Sequence, residues 1–152
     1  MSANQVHYEL FDAARFGDTK RFSAVLPYAT HNDKEWAMEV ASNISIVKHL
    51  IENENITGFH RPCYLRAIYQ QNWPIIEYFH SRNQQYFLDE AKKTFKYTGE
   101  DINDNNIDIN QFHFNEPFDL DRTPGDGTEA NAEMCEMMAY KYLRLKEFLD
   151  RF

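Results

Sequence analysis

Residues 10–26 read LFDAARFGDTKRFSAVL, and this stretch decides the fold. Its first half places two small residues, Ala13 and Ala14, one helical turn before the pair Gly17 and Asp18. Its second half has the i, i+3, i+4 spacing of an apolar helix face, with Phe22, Val25 and Leu26. Small residues let neighbouring helices approach closely, and glycine followed by aspartate suits a tight link. The stretch therefore predicts a helical hairpin.

The same pattern occurs twice more in the chain. Ala13 and Ala67 stand 54 residues apart, as do Phe22 and Ile76, which corresponds to two steps of 27. A middle copy fits if about two residues are missing at its turn, where Ser42-Asn43 stands. The apolar faces of the later second helices are Val47, Leu50 and Ile51, then Ile76 and Phe79. The repeat predicts three stacked hairpins, an architecture that builds binding surfaces rather than catalytic clefts.

The run from Ala13 to Asp18, followed by Phe22 and Leu26, resembles the two-helix core of an ankyrin repeat. The segment Ile46–Ile51 is similar to the second helix of that motif, and the resemblance covers about residues 8–81. It implies a scaffold of short ankyrin-like helix-turn-helix units that binds other proteins. The step of 27 residues differs from the usual 33, so a generic array of helical hairpins is the structural alternative.

Three further segments complete a mostly α single domain spanning residues 1–152. A capping helix is expected over 83–98, an acidic irregular segment over 99–131, and a C-terminal helix over 132–152. In the acidic segment, alternating apolar residues make one short hairpin an option: Ile107, Ile109, Phe112 and Phe114. The last helix is expected to bury one stripe: Met134, Met138, Tyr142, Leu145, Leu149 and Phe152.

Charge is concentrated in the acidic segment. The net charge is −8, yet residues 1–98 balance 11 acidic against 11 basic side chains. Residues 99–133 carry 10 acidic side chains against Arg122 alone. Composition, with 43% hydrophobic residues, no long apolar run, no basic leader and two cysteines, favours a folded cytoplasmic protein outside the membrane.

No motif in the sequence demands catalysis, a metal or a cofactor, and we expect a protein that is not an enzyme. His60 and Cys63 have a ligand-like spacing, but no second pair follows. The run from Asp101 to Asn105 resembles the start of a calcium loop, but Asn106 replaces its glycine and Phe112 its bidentate glutamate. Clustered lysine and arginine are also lacking, which argues against direct nucleic-acid binding.

The sequence therefore favours a non-enzymatic protein–protein interaction module. Contact residues are expected at the tips between repeats: His31, Asn32, Asp33, Phe59, His60 and Arg61. Others are expected in the acidic segment: Asp101, Asp104, Asp108, Asp119 and Asp121. A basic protein surface, including that of a nucleic-acid-binding protein, is the expected partner, because clustered carboxylates select cationic partners. The alternative is an acidic inhibitor that mimics nucleic acid, and the degenerate repeats suggest an origin in a virus or an intracellular bacterium.

Overall fold

The computed structural model describes the backbone of residues 1–111 and 127–152, and the side chains of residues 1–111 and 133–152. Within these ranges the regular structure is helical, with no strand. The helices are α1 (Ala3–Phe16), α2 (Thr19–Val25), α3 (His31–Val40), α4 (Ile44–Glu52), α5 (His60–Tyr69), α6 (Trp73–Asp104) and α7 (Gly127–Leu149). Short 3-10 helices cover Leu26–Tyr28 and Ile109–Gln111. The mostly helical fold with a C-terminal helix is confirmed.

The chain separates into two compact units. The first unit is Met1–Phe87 and the second is Leu88–Phe152. The first contains α1 to α5 and the start of α6, and the second contains the rest of α6 and α7. The organisation as one domain stays a prediction.

Three helical hairpins form the first unit: α1 with α2, α3 with α4, and α5 with the start of α6. Capping boxes begin the first helices of two hairpins. Ser2 and Gln5 cap α1, which therefore starts earlier than the repeat boundary at residue 8. Thr30 and Asp33 cap α3 in the same way. Side-chain oxygens satisfy backbone N–H groups that have no partner inside the helix, so these residues fix where each hairpin starts.

The turn inside a hairpin has the same geometry at positions 54 residues apart. Gly17 has a φ of 71°, and the next residue donates its N–H to the Ala13 carbonyl over 2.9 Å. Gln71 has a φ of 55°, and the next residue donates to the Ala67 carbonyl over 2.8 Å. A left-handed residue followed by this bond closes both helices in the same way. The ankyrin resemblance itself stays a prediction.

Hydrogen bonds join the turns of successive hairpins. The Ser42 N–H, in the second turn, donates to the Ala14 carbonyl over 3.1 Å. The Ser42 carbonyl in turn accepts the Asn72 side-chain amide over 2.7 Å. We call this set of bonds the turn ladder. Because each bond connects a different pair of hairpins, the ladder fixes the register of all three.

The core of the first unit contains the small and apolar residues that the repeat predicts. From the first helices these are Ala13, Ala14, Val40, Ala41, Ala67 and Ile68. From the second helices they are Phe22, Val25, Val47, Leu50, Ile51, Ile76 and Phe79. Leu26 is only half-buried, because α2 ends before it and a 3-10 helix begins there.

Helix α6 contains a kink at Asn83, whose backbone is extended (φ −164°, ψ 81°). The Asn83 side chain accepts the Tyr86 N–H over 3.2 Å, as an N-cap residue does. The kink therefore marks the start of the predicted capping helix 83–98. That helix continues to Asp104 rather than ending at residue 98.

The predicted boundaries of the acidic segment 99–131 are wrong. Residues 99–104 belong to α6, and residues 127–131 belong to α7. Helix α6 extends beyond residue 98 because Ile102 is buried and continues the helical spacing of Ala91 and Phe95. Of the predicted short hairpin, Ile109 lies in a 3-10 helix, and Phe112 and Phe114 lie outside the described residues.

In the second unit, α6 and α7 pack through aromatic rings. Phe95 and Tyr142 stack with their centroids 4.7 Å apart and their planes at 19°. Among residues 133–149 of α7, those with the least exposure are Ala139, Leu145 and Phe148. The predicted stripe was therefore partly wrong, because Met134 and Phe152 at its ends are more than half exposed.

Candidate functional site

An aromatic pair, an exposed Trp36 and a half-buried Phe59, lies where the second and third hairpins meet. Trp36 lies on α3, and Phe59 is the N-cap residue of α5. Their ring centroids are 5.8 Å apart with the planes tilted by 36°. Trp36 remains 42% exposed, although the neighbouring Ala37 and Met38 are fully buried. A large aromatic surface is thus open to solvent on a rigid helix.

Phe59 adopts a left-handed backbone conformation with a φ of 64°. This conformation is unusual for a bulky residue and costs about 1–2 kcal/mol. Its carbonyl accepts the Cys63 N–H over 3.2 Å and so begins α5. Phe59 thus both begins α5 and contacts Trp36. Backbone strain of this kind is concentrated at functional sites.

A carboxylate lies beside the aromatic pair. Glu35 Oε2 is 3.1 Å from the position that a Cβ on Gly58 would occupy. The other oxygen of Glu35 is 3.4 Å from His31 Nε2, one turn earlier on α3. The Glu35 side chain is 29% exposed and that of His31 is 66% exposed. We call His31, Glu35, Trp36, Gly58 and Phe59 the tip patch.

Asp33, another predicted contact residue, connects the first two hairpins. Its carboxylate accepts a hydrogen bond of 3.0 Å from His7 Nδ1 on α1 and another of 2.9 Å from the Thr30 N–H. Burial by itself raises the pKa of Asp33, but the hydrogen bonds from Thr30 and His7 outweigh burial, and the pKa is lowered. Asp33 therefore stabilises the structure on which the tip patch stands.

Lys34 and Glu54 connect α3 to the segment after α4. Lys34 Nζ is 3.0 Å from Glu54 Oε2, and His49 Nε2 is 3.3 Å from the other oxygen of Glu54. The hydrogen bond from Lys34 is the largest cause of the lowered pKa of Glu54. These side chains are largely buried, so the ion pair is screened less than one on an open surface.

Two predicted tip residues lie outside the tip patch. The His60 Nε2 donates to the Ile56 carbonyl over 2.7 Å, and its ring contacts Phe79 with centroids 5.8 Å apart. Arg61 is exposed, and its charge opposes the rise in the pKa of Tyr69 that burial causes. The structure thus brings together His31 and Phe59, but places His60 against the core.

The acidic candidates belong to the second unit. Asp101 and Asp104 are exposed near the end of α6, and Asp108 is exposed after it. Asn105 donates its side-chain amide to the Asp101 carbonyl over 2.8 Å. The helix continues through the residues that resembled a calcium loop, so the loop conformation does not form there. Asp119 and Asp121 lie outside the described residues.

Reactive groups of the first unit are buried in its core. Burial raises the pKa of the Cys63 thiol to about 12, which disfavours the nucleophilic thiolate. Tyr64 and His80 share a hydrogen bond of 2.8 Å next to Phe79 and Phe87. Burial also lowers the pKa of His80. Among the residues that the structure describes, no group of three or more histidine, cysteine or carboxylate side chains could hold a metal ion.

Reasoning from the sequence did not select Trp36 and Glu35 as contact residues. One signal could have identified Trp36. A tryptophan beside buried small residues on the same helix does not fit the close packing that small residues allow, so it has to project away from the core.

No family model, no curated protein and no solved structure matches the chain. Within residues 1–111 and 127–152, no helix is both long and apolar enough to cross a membrane.

Proposed function

We propose that this chain is a non-enzymatic protein-binding module that contacts a partner through its tip patch. The observation that carries the proposal is the exposed Trp36 ring paired with Phe59. Aromatic side chains contribute disproportionately to the binding energy of protein interfaces, and tryptophan is the most enriched of them. On a folded domain, contiguous exposed apolar surface is typical of an interaction site.

The proposal is supported by the rigidity of the tip patch. Both helices that carry it are joined to neighbouring hairpins, by the turn ladder and by the bonds of Asp33 and Lys34. A preorganised surface loses little conformational entropy on association. A cytoplasmic location is part of this proposal.

Exposed aspartates of the second unit are proposed to add electrostatic attraction for a basic partner. Asp101, Asp104 and Asp108 are exposed in a chain with a net charge of −8. Clustered charge raises the association rate of a partner of opposite sign more than it raises affinity. We therefore propose that the tip patch contacts the partner and that the aspartates attract it electrostatically.

Affinity capture with matched variants tests this function. The full chain and the double variant Trp36→Ala/Phe59→Ala are immobilised, and proteins retained from a lysate of the source cells are quantified by mass spectrometry. Tyr28→Ala is the control, because Tyr28 is 71% exposed and lies outside the tip patch. We expect a defined partner whose recovery falls at least tenfold with the double variant only. Recovery that is the same for all three proteins would refute the proposal.

The inhibitor alternative stays a prediction. Once a partner is captured, competition with duplex DNA or RNA distinguishes the two functions. A plain binding module leaves nucleic-acid binding by the partner unchanged, whereas a nucleic-acid mimic displaces it.

A further inference from the structure

We infer that the tip patch recognises an arginine side chain of the partner, with the guanidinium stacked on Trp36 and paired with Glu35. This inference rests on the proposed function and names the chemistry of its partner. The Trp36 ring contacts Phe59, and Glu35 Oε2 is 3.1 Å from the position of a Cβ on Gly58, the residue before Phe59. An aromatic face and a carboxylate are thus available to one ligand group at the same corner of the surface.

Glu35 is available to pair with an incoming cation. Within the described part of the chain, the His31 ring lies 3.4 Å from the Glu35 carboxylate, and no lysine or arginine pairs with it. The side chain of Glu35 is 29% exposed, so it is partly shielded from water but still accessible. Partial desolvation strengthens its attraction for a positive charge.

Two neighbouring charges of α3 already have partners. Lys34 pairs with Glu54, and Asp33 pairs with His7. Glu35, by contrast, lies beside Gly58, the residue before Phe59, and its side chain is 29% exposed.

Arginine fits these two groups better than lysine or a neutral side chain. Tryptophan is the strongest aromatic partner for a cation, and arginine is the cation found over it more often. The planar guanidinium can stack on an indole and still donate two parallel hydrogen bonds to a carboxylate. An ammonium group offers no flat face for stacking.

Peptide titration of the full chain, followed by NMR, tests the inference. The probes are three blocked pentapeptides, Gly-Leu-X-Leu-Gly, in which X is arginine, lysine or citrulline. Citrulline has nearly the shape of arginine but no charge. The readout is the indole N–H resonance of Trp36, which the Trp73→Phe variant distinguishes from the second tryptophan.

We expect the arginine peptide to shift the Trp36 resonance saturably, the lysine peptide to bind about fivefold more weakly, and the citrulline peptide to bind least. Glu35→Gln should weaken binding of the arginine peptide by about threefold to fivefold. The matched control Glu77→Gln removes an exposed carboxylate of α6 and should leave binding unchanged. Equal responses to arginine and citrulline, or no effect of Glu35→Gln, would overturn the inference.

The two proposals fail in different ways. If partner capture depends on Trp36 and Phe59 but the peptides do not discriminate arginine from citrulline, arginine recognition is wrong and protein binding stands. If the arginine peptide shifts resonances elsewhere, the inferred site is wrong. If capture does not depend on the aromatic pair and the peptides do not bind, both proposals are wrong.

Discussion

Replacing Gly17 by alanine should destabilise the first unit, because both the backbone and the neighbouring hairpin oppose a side chain there. The φ of 71° costs a residue other than glycine about 1–2 kcal/mol. A Cβ would also stand 3.2 Å from Ser42 Oγ, in the turn of the second hairpin. The smaller entropy of the unfolded alanine chain offsets about 0.4–1 kcal/mol. The net loss is therefore about 1 kcal/mol, more if Ser42 cannot move.

The equivalent turn position provides the matched comparison. Gln71 has the same left-handed conformation without being glycine, so Gln71→Gly should change stability by no more than about 1 kcal/mol and in the favourable direction. Opposite signs at positions 54 residues apart would show that both turns impose the same backbone requirement.

Tryptophan fluorescence during urea unfolding is a suitable assay. Both tryptophans of the chain, Trp36 and Trp73, lie in the first unit, so their emission reports on that unit alone. For a unit of this size, a loss of 1 kcal/mol lowers the melting temperature by about 4–8 °C. An unchanged midpoint for Gly17→Ala would refute the assignment of a strained, closely packed turn.

Three further predictions concern pH, packing and charge. Because the pKa of Asp33 is lowered from 3.8, its stabilisation is present above that pH and is lost as the pH falls through the folded-state value. Asp33→Asn should therefore cost about 1 kcal/mol at pH 7 and progressively less as the pH falls below 3.8, as measured by urea unfolding. Phe79→Leu should cost about 1–2 kcal/mol, because Phe79 is fully buried against other rings, and thermal unfolding measures this loss. The third change replaces the exposed Asp101, Asp104 and Asp108 by asparagine. It should slow association with the captured partner about tenfold at low salt and leave the association rate at 0.5 M salt nearly unchanged, because salt screens exposed charges. Stopped-flow mixing measures both rates.

The hairpins could be predicted from the sequence because their determinants are local and repeated. The glycine turn, the small residues of the first helices and the apolar faces of the second helices each occur at fixed spacing. Each of these signals depends on backbone geometry or on burial, both of which act within a few residues. The turn ladder was not predictable in this way, since the Ser42 and Asn72 bonds join residues about 30 positions apart.

The acidic region was harder to predict because composition outweighed periodicity. The aspartates and asparagines after residue 98 are typical of irregular structure. Ile102, however, is a single buried residue at the helical spacing from Ala91 and Phe95, and it extends α6 to Asp104. One apolar residue on the buried face was sufficient to override the local preference of its neighbours.

The tip patch could be predicted only in part, because its members come from separate hairpins. Phe59 and His31 were identifiable as residues between repeats, but the contact of Phe59 with Trp36 requires the left-handed backbone that begins α5. That conformation opposes folding by about 1–2 kcal/mol, and burying the Phe59 side chain does not by itself require it. Phe59→Gly removes both the strain and the ring, so it should keep the helix start and lose the aromatic pair. The strain at Phe59 is therefore an argument for function that is independent of the exposure of Trp36.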